Sequence, residues 1–301
     1  MKLNFRTKNE KKILTEEKDF SQITKNFSIE VMPRTAEKIN DFDRILPKKT
    51  YVYVAHLEGT EINSMIETAN RLNKLKFNVV PHFPARLIQS RTILEEWVQK
   101  YASIGINKAL ILAGSPTSPI GHFKSSMDLL ATGVFDKYEF SEIFCAGHPE
   151  GNKDIDIGGS DANLMDAIKW KKSFAERTQI KLSLTTQFCF EIEPIRAWEA
   201  RLTEENISLP INIGVAGPAK LQTMIKFALM CGVGPSIRVL EKRAKDLTKL
   251  ILPYSPRQFL SELSSYKREN AKSNIQSLHF FPLGGIKKTT EFLAEINPIE
   301  L

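Results

Sequence analysis

The sequence predicts a single (β/α)8 barrel, and two observations carry that prediction. Eight short runs with strand character alternate with segments of helical periodicity along the 301 residues. Polar side chains gather where the strand-like runs stop. Near-continuous apolar runs are what a parallel sheet needs when helices cover its outer face. A chain of this length suits one such barrel, which typically takes about 250 residues.

The runs are Phe27–Pro33, Tyr51–His56, Asn78–Pro84, Ala109–Gly114, Glu142–Pro149, Leu182–Phe190, Ile211–Gly217 and Ile275–Leu283. Between them lie amphipathic stripes. Ile62 to Leu75 carries Ile62, Met65, Ile66, Ala69, Leu72 and Leu75, and Arg91 to Ile104 carries Ile93, Leu94, Trp97, Val98 and Tyr101. Asn163 to Phe174 carries Leu164, Ala167, Ile168 and Lys171, and Ala219 to Met230 carries Leu221, Met224, Ile225, Ala228 and Leu229. Each has the period of about 3.6 residues expected of a helix docked on a sheet. Residues 1–26 are polar and charged and read as a short helix or arm, leaving 27–301 as the barrel. The stretch 235–273 is too long for a simple crossover and reads as a helical excursion before the last strand, with helical pieces at Ile237–Leu250 and Pro256–Asn270. Such an excursion suits a cover for one end of a ligand site or a dimer contact.

Composition narrows the function. Hydrophobic residues make up 42% of the chain, enough for a full core, and the net charge is +7. A mildly basic surface suits an anionic small ligand. Nucleic acid is not expected, because the basic residues are spread over several helices with no interleaved aromatic patch. No apolar run approaches the roughly 18 residues needed to span a bilayer, and the charged N-terminus lacks the apolar core of a signal peptide. Cys145, Cys189 and Cys231 are far apart, as buried free thiols in a reducing cytoplasm would be.

In barrels of this kind the reactive groups sit at the C-terminal ends of the strands. That rule selects Glu30, His56, His82, Gly114 with Ser115, His148 with Glu150, Gln187, and His279 with Phe281. Glu30 stands out, because a carboxylate inside an apolar strand is costly unless it is paired, hydrogen-bonded or chemically useful. Placed in an apolar rim, it is expected to have a raised pKa and hold a proton near neutrality. Glu30, His56, His82 and His148 lack the close spacing of a common metal motif, so no metal is expected. No phosphate-binding glycine motif is present, and Gly232-Val233-Gly234 suits a helix C-cap.

Taken in order, these segments resemble the methylenetetrahydrofolate reductase family, from about residue 27 to 296. Ser28-Ile29-Glu30-Val31-Met32-Pro33 is similar to the family's Ser-Phe-Glu-Phe-Phe-Pro, and Val80-Pro81-His82 to its Ala-Pro-His. Ala146-Gly147-His148-Pro149-Glu150-Gly151 is similar to its Ala-Tyr-Pro-Glu-x-His, and Thr186-Gln187-Phe188-Cys189-Phe190-Glu191 to its Thr-Gln-Phe-Phe-Phe-Asp. Pro210 to Val215, Lys226-Phe227-Ala228 and Leu278-His279-Phe280-Phe281 resemble its last two strands and the helix between them.

The resemblance implies a flavoprotein with FAD over the strand ends, exchanging electrons with NADH or NADPH and with a folate substrate. Glu30 then matches the general acid that opens the methylene bridge, and Gln187 the glutamine that hydrogen-bonds the pterin. Phe190, Leu221 and Phe281 fall at substrate positions. Ala55, His56, His82, Ala113, Gly114, Ser115, Ala146, His148, Asn152 and Lys171 fall at cofactor positions. Several of these depart from the family pattern: Ala55 replaces a Thr, Ala113 an Arg, Ser115 an Asp, His148 a Tyr and Asn152 a His, and Gly284-Gly285 replaces Asn-Arg. The expected activity is interconversion of 5,10-methylenetetrahydrofolate and 5-methyltetrahydrofolate, with oxidation as a physiological direction. The alternative is a flavin-free folate enzyme that moves hydride directly from a nicotinamide, or moves a methyl group. Association into a homo-oligomer is implied by the resemblance alone.

Overall fold

The computed structural model describes residues 20–114, 118–230 and 253–296. Eight parallel strands close into a barrel in sequence order, β1 pairing with both β2 and β8. They are β1 (Ser28–Val31), β2 (Tyr51–Val54), β3 (Asn78–Pro84), β4 (Lys108–Leu112), β5 (Glu142–Gly147), β6 (Lys181–Cys189), β7 (Ile211–Ala216) and β8 (Ile275–Phe281). Every one falls on a run expected from the sequence, most ending slightly earlier. Pro33 shows why β1 stops: it lacks an N–H for the ladder and instead opens a helical turn, Pro33–Ala36, as its first residue.

The main helices are α1 (Ile62–Lys74), α2 (Arg91–Ser103), α3 (Ala162–Thr178), α4 (Glu193–Glu204), α5 (Leu221–Met230), α6 (Arg257–Glu269) and α7 (Ile286–Ile296). α1 buries Met65, Thr68, Ala69 and Leu72, one face at helical spacing. α2 is started by Ser90, whose hydroxyl accepts the Ile93 N–H at 3.3 Å. The large apolar core lies between the strands and this outer layer, where Ile29, Val31, Val52, Val54, Ile111 and Leu184 are buried. Phe20 and Ile23, around the short turn Ser21–Thr24, join that core. Residues 1–19 lie outside the described residues, so most of the expected N-terminal arm does too. Of the expected excursion, Ile237–Leu250 is likewise outside them. Its second half is α6, which buries Phe259, Leu260 and Leu263 in the main core as an ordinary member of the outer layer.

The barrel interior is divided. Tyr53, Val80, Leu110 and Phe144 fill one side with apolar surface. On the other, Ser277 Oγ donates to Asn212 Oδ1 at 2.6 Å and Asn212 Nδ2 donates to Thr185 Oγ1 at 3.3 Å. These polar groups satisfy one another, which removes most of the cost of burying them.

Candidate functional site

Alternation along β1 sends Ser28 and Glu30 to the same, inner face. The β1–β8 register sets Ser28 opposite His279, and β3 brings His82 to the same level. Glu30 Oε2 lies 3.5 Å from His82 Nε2 and 3.8 Å from His279 Nε2. Ser28 Oγ donates to the Leu278 carbonyl at 3.3 Å and stands 2.9 Å from His279 Nδ1. The His279 Nε2 edge is thereby turned to Glu30. The Tyr53 ring packs 4.3 Å from the His279 ring and forms the floor.

This geometry corrects one expectation. The Glu30 carboxyl does not sit in an apolar rim that raises its pKa. Burial pushes it up, but the His279 hydrogen bond and the electrostatics of the two facing imidazoles outweigh burial and hold it below the ordinary carboxylate value. His82 moves the other way. It is only 7% exposed, and burial, opposed by Glu30 and reinforced by His279 and His56, pushes it down to about 4. Among the described residues its Nε2 has no hydrogen-bond partner. At neutral pH the pair is therefore a carboxylate facing an uncharged imidazole. His56 donates from Nε2 to the Thr60 carbonyl at 3.1 Å and packs 5.0 Å from Trp97, leaving Nδ1 buried with no partner among the described residues. Burial lowers its pKa as well.

A second group gathers beyond β5. Burial and the charge of Lys171 push His148 down to about 4. Lys171 on α3 is 6% exposed, and among the described residues it has neither an ion-pair nor a hydrogen-bond partner. The Asn152 side chain is committed to its own loop, accepting the Asp154 N–H at 2.9 Å. Ala146 lines the inner face of β5, partly exposed. Ala55 is buried, its N–H donating to the Val31 carbonyl at 2.8 Å. The Ala113 carbonyl accepts the Arg86 N–H at 2.8 Å, and Gly114 follows with φ +95°, a left-handed turn suited to glycine. Ser115 lies outside the described residues.

The third group is apolar. Phe190, Leu221 and Phe281 fall in one cluster with Phe188, Met224 and Tyr254 at the β6–β7–β8 mouth. Phe281 packs edge-on 4.7 Å from the His279 ring, which joins this cluster to Glu30. Gln187 is half-buried beside it, its Oε1 accepting the Phe188 N–H at 3.2 Å. Glu30, His82 and Phe281 thus meet through His279, Gln187 lies next to Phe188 of the same apolar cluster, and His148 and Lys171 form a separate group. Ser28 and Tyr53 escaped the sequence reading, although each stands two residues from a strand-end candidate on the same face. His279 was singled out there only by its position.

No family model matches the chain. Among solved structures, an uncharacterized protein from Clostridium thermocellum that binds two copies of 5-methyl-5,6,7,8-tetrahydrofolic acid is similar over 93% of this chain and 98% of its own, with TM-score 0.57 and 11% identity. An oxaloacetate acetylhydrolase aligns over 90% of this chain and 80% of its own, with TM-score 0.47 and 10% identity. A dihydropteroate synthase from Thermus thermophilus aligns over 92% of this chain and 94% of its own, with TM-score 0.43 and 10% identity. At 11% identity the first likeness establishes the fold: this chain is a (β/α)8 barrel.

Proposed function

We propose that the barrel mouth binds a reduced folate and interconverts its methylene and methyl forms. The observation that carries this reading is the Glu30 carboxylate held between His82 and His279, joined to the Phe281 cluster through the His279 ring. Support comes from the family resemblance of these segments and from the folate bound by the Clostridium thermocellum barrel.

A Glu30 that rests as the carboxylate is poised for the proton removal that oxidation needs. When the N5-methyl group of 5-methyltetrahydrofolate loses hydride, a methylene iminium remains. N10 attacks its carbon, the ring closes, and the N10 proton must leave. The Glu30 carboxylate, its pKa lowered by the facing imidazoles, is placed to take it. In reduction the same proton returns to N10 as the C–N10 bond opens, which requires Glu30 to be protonated first.

Lys171 and His148 fit the diphosphate of FAD, because a buried cation with no partner among the described residues suits an anion. Ala113 adds no charge there. FAD, when bound, supplies hydride acceptance and exchange with NADH or NADPH. An absorbance spectrum of the purified chain, before and after adding FAD and gel filtration, tests the cofactor. Retained flavin bands bleached by 5-methyltetrahydrofolate without oxygen are the expected result. A colourless protein that ignores FAD would overturn the flavin assignment and move the hydride to a nicotinamide directly. Absence of any folate binding would overturn the whole reading.

A further inference from the structure

β6 and β7 do not keep step. Thr185 stands opposite Asn212, but Phe188 stands opposite Gly214. β6 advances three residues while β7 advances two, so Thr186-Gln187 carries one extra residue, a bulge. Such a bulge breaks the inward–outward alternation. Thr185 faces the interior, Gln187 is partly exposed, Phe188 joins the apolar cluster at the mouth, and Cys189 returns to the outer core.

Thr186 closes the gap this leaves. It is 1% exposed, and its hydroxyl accepts the Gly214 N–H at 2.8 Å while donating to the Gln187 carbonyl at 2.8 Å. Main-chain groups left apart by the bulge are thus bridged through one side chain. Glycine is required opposite: a Cβ at Gly214 would lie 2.3 Å from the Gln187 carbonyl oxygen. The amide of Gln187 is oriented too. A main-chain N–H can only donate, so the contact from Phe188 identifies Oε1 as the atom facing the backbone. The NH2 group is turned away from that contact with its donors unused among the described residues.

We propose that Thr186 is a positioning residue: its hydroxyl locks the β6 bulge so that Gln187 offers N–H donors, and no acceptor, to the ligand. The ligand edge it selects carries acceptors, as the 4-oxo edge of a pterin does. A 4-amino pteridine would set donor against donor at the same place. This specificity rests on the folate reading above, whereas the lock itself does not.

Thr186→Val keeps the shape and removes the hydroxyl, and Thr186→Ser restores it. Binding of 5-methyltetrahydrofolate and of its 4-amino analogue is measured by calorimetry, with hydrogen exchange of the Gly214 amide followed in the ligand-free chain. Wild type and Thr186→Ser are expected to protect that amide and to prefer the 4-oxo ligand. Thr186→Val is expected to expose the amide and weaken 4-oxo binding by about tenfold, the effect of one mislaid hydrogen bond, while the preference collapses. If Thr186→Val exchanges like wild type, or lowers thermal stability with the preference intact, the proposal fails. If the exchange result holds but the wild type binds no folate, the folate reading fails and the lock stands.

Discussion

Glu30 is tolerable at the mouth of an apolar strand because two imidazoles face it and Ser28 fixes one of them. Glu30→Gln keeps the shape and removes the charge. It is expected to slow the folate half-reaction by about 10²–10⁴-fold and to leave flavin–nicotinamide exchange unchanged. Stopped-flow traces of each half-reaction check this, and equal loss in both would end the assignment. Ser28→Ala removes the polar partner of His279 Nδ1 in a site where His279 is 1% exposed. A stability loss of about 1–3 kcal/mol is expected from the urea midpoint, and a change below about 0.5 kcal/mol would show that the Ser28–His279 contact does not hold the ring. Glu30, His82 and Gln187 were legible in the sequence because each interrupts an apolar run. The Ser28–His279 bond joins residues 251 positions apart. Only the barrel closure between β1 and β8 makes them neighbours, and no local pattern encodes it. The Glu30 pKa was misjudged for the same reason, since its lowering comes from β3 and β8.

At the scale of elements, the β strands and the helices at Ile62, Arg91 and Asn163 were legible because period and apolar content agree there. The β6 bulge was not, since Thr-Thr-Gln continues a strand pattern and only pairing with β7 shows the extra residue. Another hidden device anchors α6. Glu199 on α4 is 4% exposed and accepts from Tyr266 Oη at 2.7 Å, from Ser273 Oγ at 2.9 Å and from the Asn274 N–H. Lys267 donates to the Ser273 carbonyl at 3.0 Å and to that of Ile275. One buried carboxylate thus ties α4, α6 and the start of β8 together at the end of the barrel away from Glu30. Glu199→Ala leaves three donors without their acceptor and is expected to cost about 3–5 kcal/mol, as removal of one partner of a buried charged network does. Denaturant unfolding measures this, and ligand affinity in the surviving folded fraction should not move. A loss under about 1 kcal/mol would mean that water replaces the carboxylate without strain.

The whole molecule should carry the signature of its neutral histidines in its acid stability. His82 has a folded pKa of about 4 against an ordinary 6.5, with burial as the main cause and Glu30, His279 and His56 as the charged neighbours. A depressed histidine binds its proton more readily in the unfolded chain. Its contribution is therefore complete above about pH 6.5 and is lost as pH falls toward 4. His148, lowered to about 4 by burial and Lys171, acts in the same window and direction. Glu30 acts in the acid range below it: its folded pKa is lowered from the ordinary carboxylate value, so its share is present above that ordinary value and is lost as pH falls through the folded one. The two effects separate in a comparison of wild type with His82→Gln, which cannot titrate. Between about pH 7 and pH 5 the wild type should lose on the order of 1–2 kcal/mol more than the variant. Urea midpoints at intermediate pH values give the difference, and surface carboxylates cancel because both proteins share them. Parallel curves would show that His82 is solvated in the folded chain and titrates normally. The barrel mouth would then be open to water where the structure closes it with Tyr53, Glu30 and His279.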